Sequence, residues 1–153
     1  MKKTVLFRWT LAASMLGTAP CAVAADYVVN SPEIVKAADW KTTEKVTVTF
    51  DEYSYKPKRL VFKAGKTYQL ILKNTGEKKH YFTAPEFYKS IATRKIQSDK
   101  DGEIKVPYLD AVELMVGGQL DIYFVPVTKG EYPVYCTIED HQKQGMEGQL
   151  VIE

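Results

Sequence analysis

The chain has very few residues of the kinds that bind metals through sulfur or nitrogen. Its 153 residues include two cysteines, two histidines and four methionines. One of the cysteines, Cys21, lies in an N-terminal stretch with the features of an export signal. Removal of that stretch leaves Cys136 as the single thiol, which excludes an intrachain disulfide. A lone cysteine in an oxidising compartment is a liability unless it is buried, catalytic or bound to a metal.

The sequence also lacks a hydrophobic run that could cross a membrane. The apolar run Leu11–Leu16 is far shorter than the roughly 20 residues that a spanning helix needs. It follows the basic start formed by Lys2, Lys3 and Arg8, and the small residues Ala22–Ala24 come after it. This pattern predicts a cleaved signal peptide over residues 1–24 and a periplasmic chain whose residues 25–153 form a single domain.

A strongly basic surface is missing as well. Three of the 21 lysines and arginines lie in the predicted signal and none of the 19 acidic residues does, so the formal charge falls from +2 to about −1 when the signal is removed. No basic run is interleaved with aromatic residues that could stack on bases. The sequence therefore predicts no nucleic-acid partner and no membrane span in the mature chain.

Alternating apolar and polar residues are the main structural signal, and they predict an all-β fold. Several short strands at regular spacing, separated by glycine-containing turns, favour a Greek-key β-sandwich. The predicted strands cover Val46–Phe50, Leu60–Phe62, Tyr68–Leu72, Leu120–Val127, Tyr132–Cys136 and Gln149–Glu153.

Three stretches have less strand character. We expect an edge strand and then a short helix in Tyr27–Trp40, and a tyrosine-rich turn or irregular segment in Asp51–Pro57. Ala84–Val106 is the least strand-like stretch, and Pro85 can open a short helix there. The sequence therefore predicts a short helix or irregular insert around residues 85–113.

One stretch carries most of the chemistry. Cys136, His141 and Met146 follow one another with four residues between successive members. A thiolate, an imidazole and a thioether form a soft ligand set that suits copper better than zinc, calcium or magnesium. His80 is the only other histidine in the chain. We therefore predict one blue-copper centre with His80, Cys136 and His141 as ligands and Met146 as a weak axial ligand.

Each of these residues also has a simpler interpretation. A free cysteine is often a small buried hydrophobe, and a single methionine is more often part of the core than a ligand. Structural zinc would require four Cys or His ligands, and only three are present. A cysteine nucleophile would require its base in a suitable orientation, whereas Cys136 and His141 lie on one short loop that favours chelation. The joint placement of all four residues makes the copper site the better hypothesis.

These residues resemble the cupredoxins, the small blue copper proteins of the plastocyanin, azurin and rusticyanin type. The resemblance rests on Tyr55-Lys56-Pro57, on Leu60 and Gly65, on N-T-G-E-K-K-H at 74–80 and on C-T-I-E-D-H-Q-K-Q-G-M-E-G at 136–148. It implies a sandwich of about seven or eight strands and one-electron transfer with a periplasmic or membrane redox partner protein.

The resemblance also implies roles for individual residues. His80, Cys136 and His141 would be equatorial ligands, Met146 the axial ligand, and His141 the ligand nearer solvent. The backbone N–H of Tyr81 is a candidate hydrogen-bond donor to the Cys136 sulfur.

The acidic residues of the chain suggest a second function. Glu139 and Asp140 lie inside the predicted ligand loop, and Glu86 and Asp110 lie in the predicted insert. Carboxylate oxygens suit iron, so Glu139 and Asp140 could form a second metal site. The chain also resembles the exported cupredoxins that accompany bacterial ferrous-iron uptake systems, which implies Fe(II) oxidation as an alternative. Copper tolerance is a further alternative, although only Met115 and Met146 remain beyond the signal.

Overall fold

The computed structural model describes residues 26–106 and 108–153. The predicted signal peptide lies outside these residues, and so does Cys21. No helix in the described part of the chain is long and apolar enough to cross a membrane. Helices α1 and α2 cover Ser31–Ala37 and Pro85–Lys89, and a 3₁₀ turn covers Trp40–Thr42. The strands are β1 Glu44–Asp51, β2 Ser54–Lys56, β3 Arg59–Phe62, β4 Tyr68–Asn74, β5 His80–Thr83, β6 Ile91–Ser98, β7 Gly102–Ile104, β8 Ala111–Leu114, β9 Gln119–Pro126, β10 Gly130–Tyr135 and β11 Glu147–Ile152.

The strands form two mixed sheets. The six-stranded sheet has the order β2-β1-β4-β9-β6-β7, and the five-stranded sheet has the order β3-β11-β10-β5-β8. β1 pairs with β4 in parallel and β3 pairs with β11 in parallel, whereas the other pairs are antiparallel. The two sheets confirm the predicted all-β sandwich with a short helix.

Alternation of apolar residues places one face of each sheet in a common core. Along β4 the side chains of Tyr68, Leu70 and Leu72 are buried while their neighbours are more exposed. They join buried residues of the other sheet, such as Phe82 and Leu150, in one hydrophobic cluster. Complete burial of each large apolar side chain contributes about 1.5–3 kcal/mol, so this pattern is the main reason that the two sheets pack together.

The predicted insert contains more strand than expected. Helix α2 begins at Pro85 as predicted, but β6 follows it and pairs along its length with β9 in the six-stranded sheet. A register shift between Thr93 and Lys95 marks a bulge. Ile91 and Ile96 are both buried although they are an odd number of residues apart. The extra residue of the bulge breaks the period of two, which is why the sequence pattern missed this strand.

Three other expectations differ from the structure. The stretch Tyr27–Trp40 contains α1 but no edge strand, because Pro32 occupies the first turn of a helix that begins at Ser31. The stretch Asp51–Pro57 is partly regular: β2 folds back on β1 as a hairpin, with Ser54 opposite Asp51. Its turn residues, Glu52 and Tyr53, form what we call the covering turn. The described residues contain eleven strands rather than seven or eight, since several are only three or four residues long.

Candidate metal centre

His80 is held at the start of β5 by a tight turn after β4. The buried side chain of Asn74 organises this turn by donating to the carbonyl oxygens of Lys78, at 2.7 Å, and Leu114, at 3.1 Å. Its own oxygen accepts the N–H of Gly76 at 3.0 Å. An asparagine that bonds to backbone on both sides of a turn fixes the chain direction. The imidazole of His80 therefore enters the interior at a defined position, where it is completely buried.

Cys136 follows directly after β10, and the segment Cys136–Met146, which we call the ligand loop, is closed by its own backbone. The N–H of Cys136 donates to the carbonyl of Met146 at 3.0 Å, and the N–H of Met146 donates to the carbonyl of His141 at 3.0 Å. These backbone bonds link the three predicted loop ligands to one another without the help of a metal. A rigid loop of this kind limits how far its donor atoms can move.

The three predicted equatorial ligands converge. The sulfur of Cys136 and one ring nitrogen each from His80 and His141 all lie within 4.8 Å of one another, and all three residues are buried. The sulfur lies 3.6 Å from Nδ1 of His141. Among residues 26–106 and 108–153, this is the only group of three or more His, Cys, Asp or Glu side chains arranged to hold a metal ion.

The donor set fits a metal. Neither ring nitrogen of His80 has a hydrogen-bond partner among the described residues, although both are buried. Buried polar atoms are nearly always partnered, so an orphaned imidazole beside a thiol points to a ligand that the protein is built to receive. Burial lowers the pKa of His80, and His141 lowers it further, whereas Glu52 opposes the shift. The neutral imidazole that this favours is the form that binds metals.

The predicted contact between Tyr81 and Cys136 is present. The backbone N–H of Tyr81 donates to the Cys136 sulfur at 3.4 Å. A hydrogen bond to a ligating sulfur withdraws charge from it and is one of the means by which a protein adjusts a bound copper.

The covering turn, which was not predicted as part of the site, lies against both imidazoles. Oε1 of Glu52 is 3.7 Å from Nε2 of His80. The ring of Tyr53 meets the ring of His141 edge to face, with centroids 5.0 Å apart. Lys78 joins the two residues, since its N–H donates to Glu52 at 3.1 Å and its ammonium donates to the Tyr53 hydroxyl at 3.2 Å. Neither imidazole presents an edge to solvent, because His80 is 0% exposed and His141 only 2%.

The other predicted site residues lie in different surroundings. Met146 is completely buried next to Cys136 and His141, and its axial role stays a prediction. Glu139 and Asp140 are both exposed and are not part of the His–Cys–His group. Glu86 pairs with Lys89 at 3.0 Å, and Asp110 accepts the hydroxyl of Tyr27 at 2.9 Å.

Comparison with known proteins defines the class. The profile of the cupredoxin-like domain family matches residues 21–152, and the chain belongs to that family. No curated protein sequence gave a significant match.

Similar solved structures share the fold at low identity. The chain is 17% identical to a multicopper oxidase from Pseudomonas thermotolerans with a TM-score of 0.60, over 76% of this chain and 31% of that one. A copper-containing nitrite reductase from Thermus scotoductus is 10% identical with a TM-score of 0.57, over 84% and 34%. Auracyanin from Roseiflexus castenholzii is 20% identical with a TM-score of 0.49, over 71% and 96%. The chain thus spans about a third of the length of the two enzymes.

Family membership and the buried thiol–imidazole set together support copper as the cofactor. A thiolate with two imidazoles is the donor set typical of blue copper, and the structure brings His80, Cys136 and His141 together in such a group.

Proposed function

We propose that the mature chain is a periplasmic blue copper protein that transfers one electron at a time between partner proteins. His80, Cys136 and His141 would hold the copper, and Met146 would be its weak fourth ligand. The observation that carries this proposal is the convergence of one sulfur and two imidazole nitrogens within 4.8 Å in a buried site. The signal-like N-terminus supports export, and one copper ion per chain follows from the single site.

Copper supplies the one-electron couple, and the protein holds its ligands in place. The backbone hydrogen bonds within the ligand loop, and those of Asn74 around the His80 turn, fix the donors before and after electron transfer. A frame that does not rearrange keeps the energetic cost of changing the charge low. The N–H of Tyr81 offsets part of the negative charge on the sulfur.

The covering turn is where a redox partner would approach the centre. His141 is expected to be the ligand nearer solvent, and at 2% exposure against 0% for His80 it is the less buried of the two, although little of it is exposed. Tyr53 packs against His141 and is itself partly exposed, so its ring lies between the imidazole and the surface. A redox partner would therefore meet Tyr53 rather than the edge of a histidine.

Optical and electron paramagnetic resonance spectra of the purified chain with copper added test the proposal. We expect an intense visible band from sulfur-to-copper charge transfer and the narrow hyperfine splitting of a type 1 centre. Cys136→Ser should abolish the band, and Thr137→Ala, an exposed neighbour, should retain it. A copper-loaded wild-type chain without the band would reject the blue-copper assignment.

A second candidate function is Fe(II) oxidation in support of iron uptake, and the position of Glu52 favours it. This carboxylate is 30% exposed, and its oxygen lies 3.7 Å from the buried His80. A partly exposed carboxylate with one oxygen 3.7 Å from a predicted copper ligand offers Fe(II) a place next to the centre. Fe(II) would lose one electron to the centre and leave as Fe(III), and the partner protein would remove the electron.

Stopped-flow mixing separates the two functions. We expect Glu52→Gln to slow bleaching by Fe(II) but not bleaching by hexaammineruthenium(II), which needs no protein ligand. The exposed pair supplies matched controls, Glu139→Ala and Asp140→Ala. If all three variants bleach with Fe(II) at the wild-type rate, a dedicated iron site is rejected and the electron-carrier proposal stands. Copper tolerance has no comparable support, since Met115 and Met146 are the only methionines among the described residues, and the first is exposed while the second is buried.

A further inference from the structure

The hydrogen bond from Tyr81 to Cys136 exists at a place where the sheet has ended. β10 pairs with β5 at a single position, Tyr135 opposite Thr83, and the chain then leaves the sheet as the ligand loop. Had β10 continued beside β5, its backbone would have taken the N–H and C=O of Tyr81 together, since a strand residue directs both groups to the same neighbour. Both groups therefore need substitute partners.

The N–H of Tyr81 takes the sulfur of Cys136 as its substitute. The C=O of Tyr81 accepts the hydroxyl of Tyr55, a residue of β2 in the opposite sheet. One backbone residue thus joins the predicted copper ligand on one side to a buried phenol on the other. The N–H and C=O of Tyr81 lie in adjacent peptide planes that meet at its Cα, so a group that holds the carbonyl restricts the direction of the N–H.

Tyr55 is itself fixed. Its ring meets Phe50 and Phe82 edge to face, with centroids 5.1 Å and 5.4 Å apart, and only 1% of the residue is exposed. Burial raises the pKa of the Tyr55 phenol, and the nearby charge of Cys136 raises it further, so the hydroxyl keeps its proton. The protonated phenol can therefore donate to the Tyr81 carbonyl.

We propose that Tyr55 is a positioning residue for the copper centre: its hydroxyl holds the Tyr81 carbonyl and so aims the Tyr81 N–H at the Cys136 sulfur. This inference rests on the proposed blue-copper function. Through the sulfur, Tyr55 contributes to the reduction potential and to the sulfur–copper charge-transfer band without touching either the metal or a ligand side chain.

The chain offers a matched control in Tyr88. This tyrosine is also buried, at 1% exposure, and its hydroxyl also donates to a carbonyl of β5, that of Phe82, at 3.2 Å. The two phenols bond to adjacent residues of one strand, but only the Tyr55 bond is made to the residue that faces the sulfur. Tyr55→Phe and Tyr88→Phe each remove one oxygen and keep the ring.

The experiment compares the reduction potential, the visible band and the copper hyperfine splitting of the copper-loaded wild type, Tyr55→Phe and Tyr88→Phe. We expect Tyr55→Phe to lower the potential and shift the band, because a weaker N–H contact leaves more charge on the sulfur and favours the oxidised form. Tyr88→Phe should lose similar stability toward urea but keep the wild-type potential and spectrum.

Two results would overturn the positioning role of Tyr55. One is a Tyr55→Phe protein with the wild-type potential and band. The other is an equal change in both variants, which would indicate general loosening of β5. Absence of a blue band in the wild type would instead reject the proposed function.

A measurement on the wild type covers the case in which Tyr55→Phe does not fold. In the diamagnetic Cu(I) protein, nuclear magnetic resonance should detect a slowly exchanging Tyr55 hydroxyl proton and a protected Tyr81 amide. Rapid exchange of either proton with solvent would contradict the proposed chain of contacts.

Discussion

The ligand loop supplies His141, whereas the covering turn lies against the imidazoles of His141 and His80. The ligand loop supplies its donors from eleven consecutive residues, Cys136–Met146, and closes on itself through backbone hydrogen bonds. The covering turn is more than 80 residues away in the sequence, and its contacts with the two imidazoles are made by the side chains of Glu52 and Tyr53. One segment creates the site, and the other determines what surrounds it.

The two segments share one backbone feature. Tyr53, with φ of 59°, and Glu139, with φ of 42°, are the only residues other than glycine with positive φ in the described chain. A bulky residue in this region costs on the order of 1 kcal/mol, which the surrounding contacts must offset. At Tyr53 the contacts with His141 and Lys78 do so. Glu139 is exposed, and its conformation follows from the closure of the loop.

The largest expected effect concerns how the ligand loop is anchored. A Cβ at Gly148 would overlap the carbonyl oxygen of Lys58, whose segment runs beside β11. Gly148→Ala should therefore cost about 3 kcal/mol of unfolding free energy through overpacking. Gly117→Ala is the control, since Gly117 has φ of +72° and no atom within 4 Å of its Cβ position, so strain alone should cost about 1 kcal/mol. If Gly148→Ala and Gly117→Ala lose the same unfolding free energy in urea, β11 can move enough to accommodate the added methyl group without opening the loop.

The next effect concerns the charge at the covering turn. Glu52→Gln removes a negative charge near His80 and weakens the bonds that the carboxylate accepts from the N–H groups of Glu77, at 2.6 Å, and Lys78, at 3.1 Å. We expect a stability loss of about 1.5 kcal/mol. The oxidised centre would also lose about 1 kcal/mol of attraction to the Glu52 carboxylate. Because this loss destabilises the oxidised form, it raises the one-electron reduction potential by about 40 mV. Voltammetry and urea unfolding measure both effects, and an unchanged potential would show that Glu52 does not act on the centre.

A smaller effect is expected for the ring that covers His141. Tyr53→Asn retains a residue that tolerates positive φ but removes the ring, at a cost of about 1 kcal/mol for the lost edge-to-face contact. Solvent then reaches His141, so added azide or imidazole should perturb the visible band. Tyr53→Phe keeps the ring and should remain insensitive. If the Tyr53→Asn spectrum is equally insensitive to these ligands, some other group keeps His141 buried.

The ligand loop could be predicted from the sequence because all of its determinants are local. Cys136, His141 and Met146 occur at a fixed spacing on one loop, so no knowledge of distant contacts is needed to group them. His80 could be added because the chain contains only two histidines, His80 and His141. The Tyr81 contact followed from the family resemblance and is present in the structure.

The covering turn could not be predicted, because its approach to the site is a tertiary event. The sequence predicts only a tyrosine-rich turn or irregular segment there, and nothing in the local pattern indicates that Glu52 and Tyr53 lie against the two imidazoles. The same limit applies to β6, whose bulge at Thr93–Lys95 hides its alternation. Local periodicity identifies regular strands and compact loops, whereas irregular strands and contacts between distant turns depend on the assembled fold.

The smallest expected effect is at the exposed carboxylates of the ligand loop. Glu139→Gln and Asp140→Asn change the charge of the side chain but not its shape. The backbone cost of the positive φ at position 139 is therefore the same in the variants as in the wild type. Both residues are exposed and lie outside the His–Cys–His group, so we expect changes in stability within about 0.5 kcal/mol and an unchanged visible band. Measuring Glu52→Gln in the same experiments compares the carboxylates of the ligand loop directly with that of the covering turn. If Glu139→Gln instead slows reaction with Fe(II) while Glu52→Gln does not, the functional carboxylates belong to the ligand loop, and the covering turn serves only to exclude water.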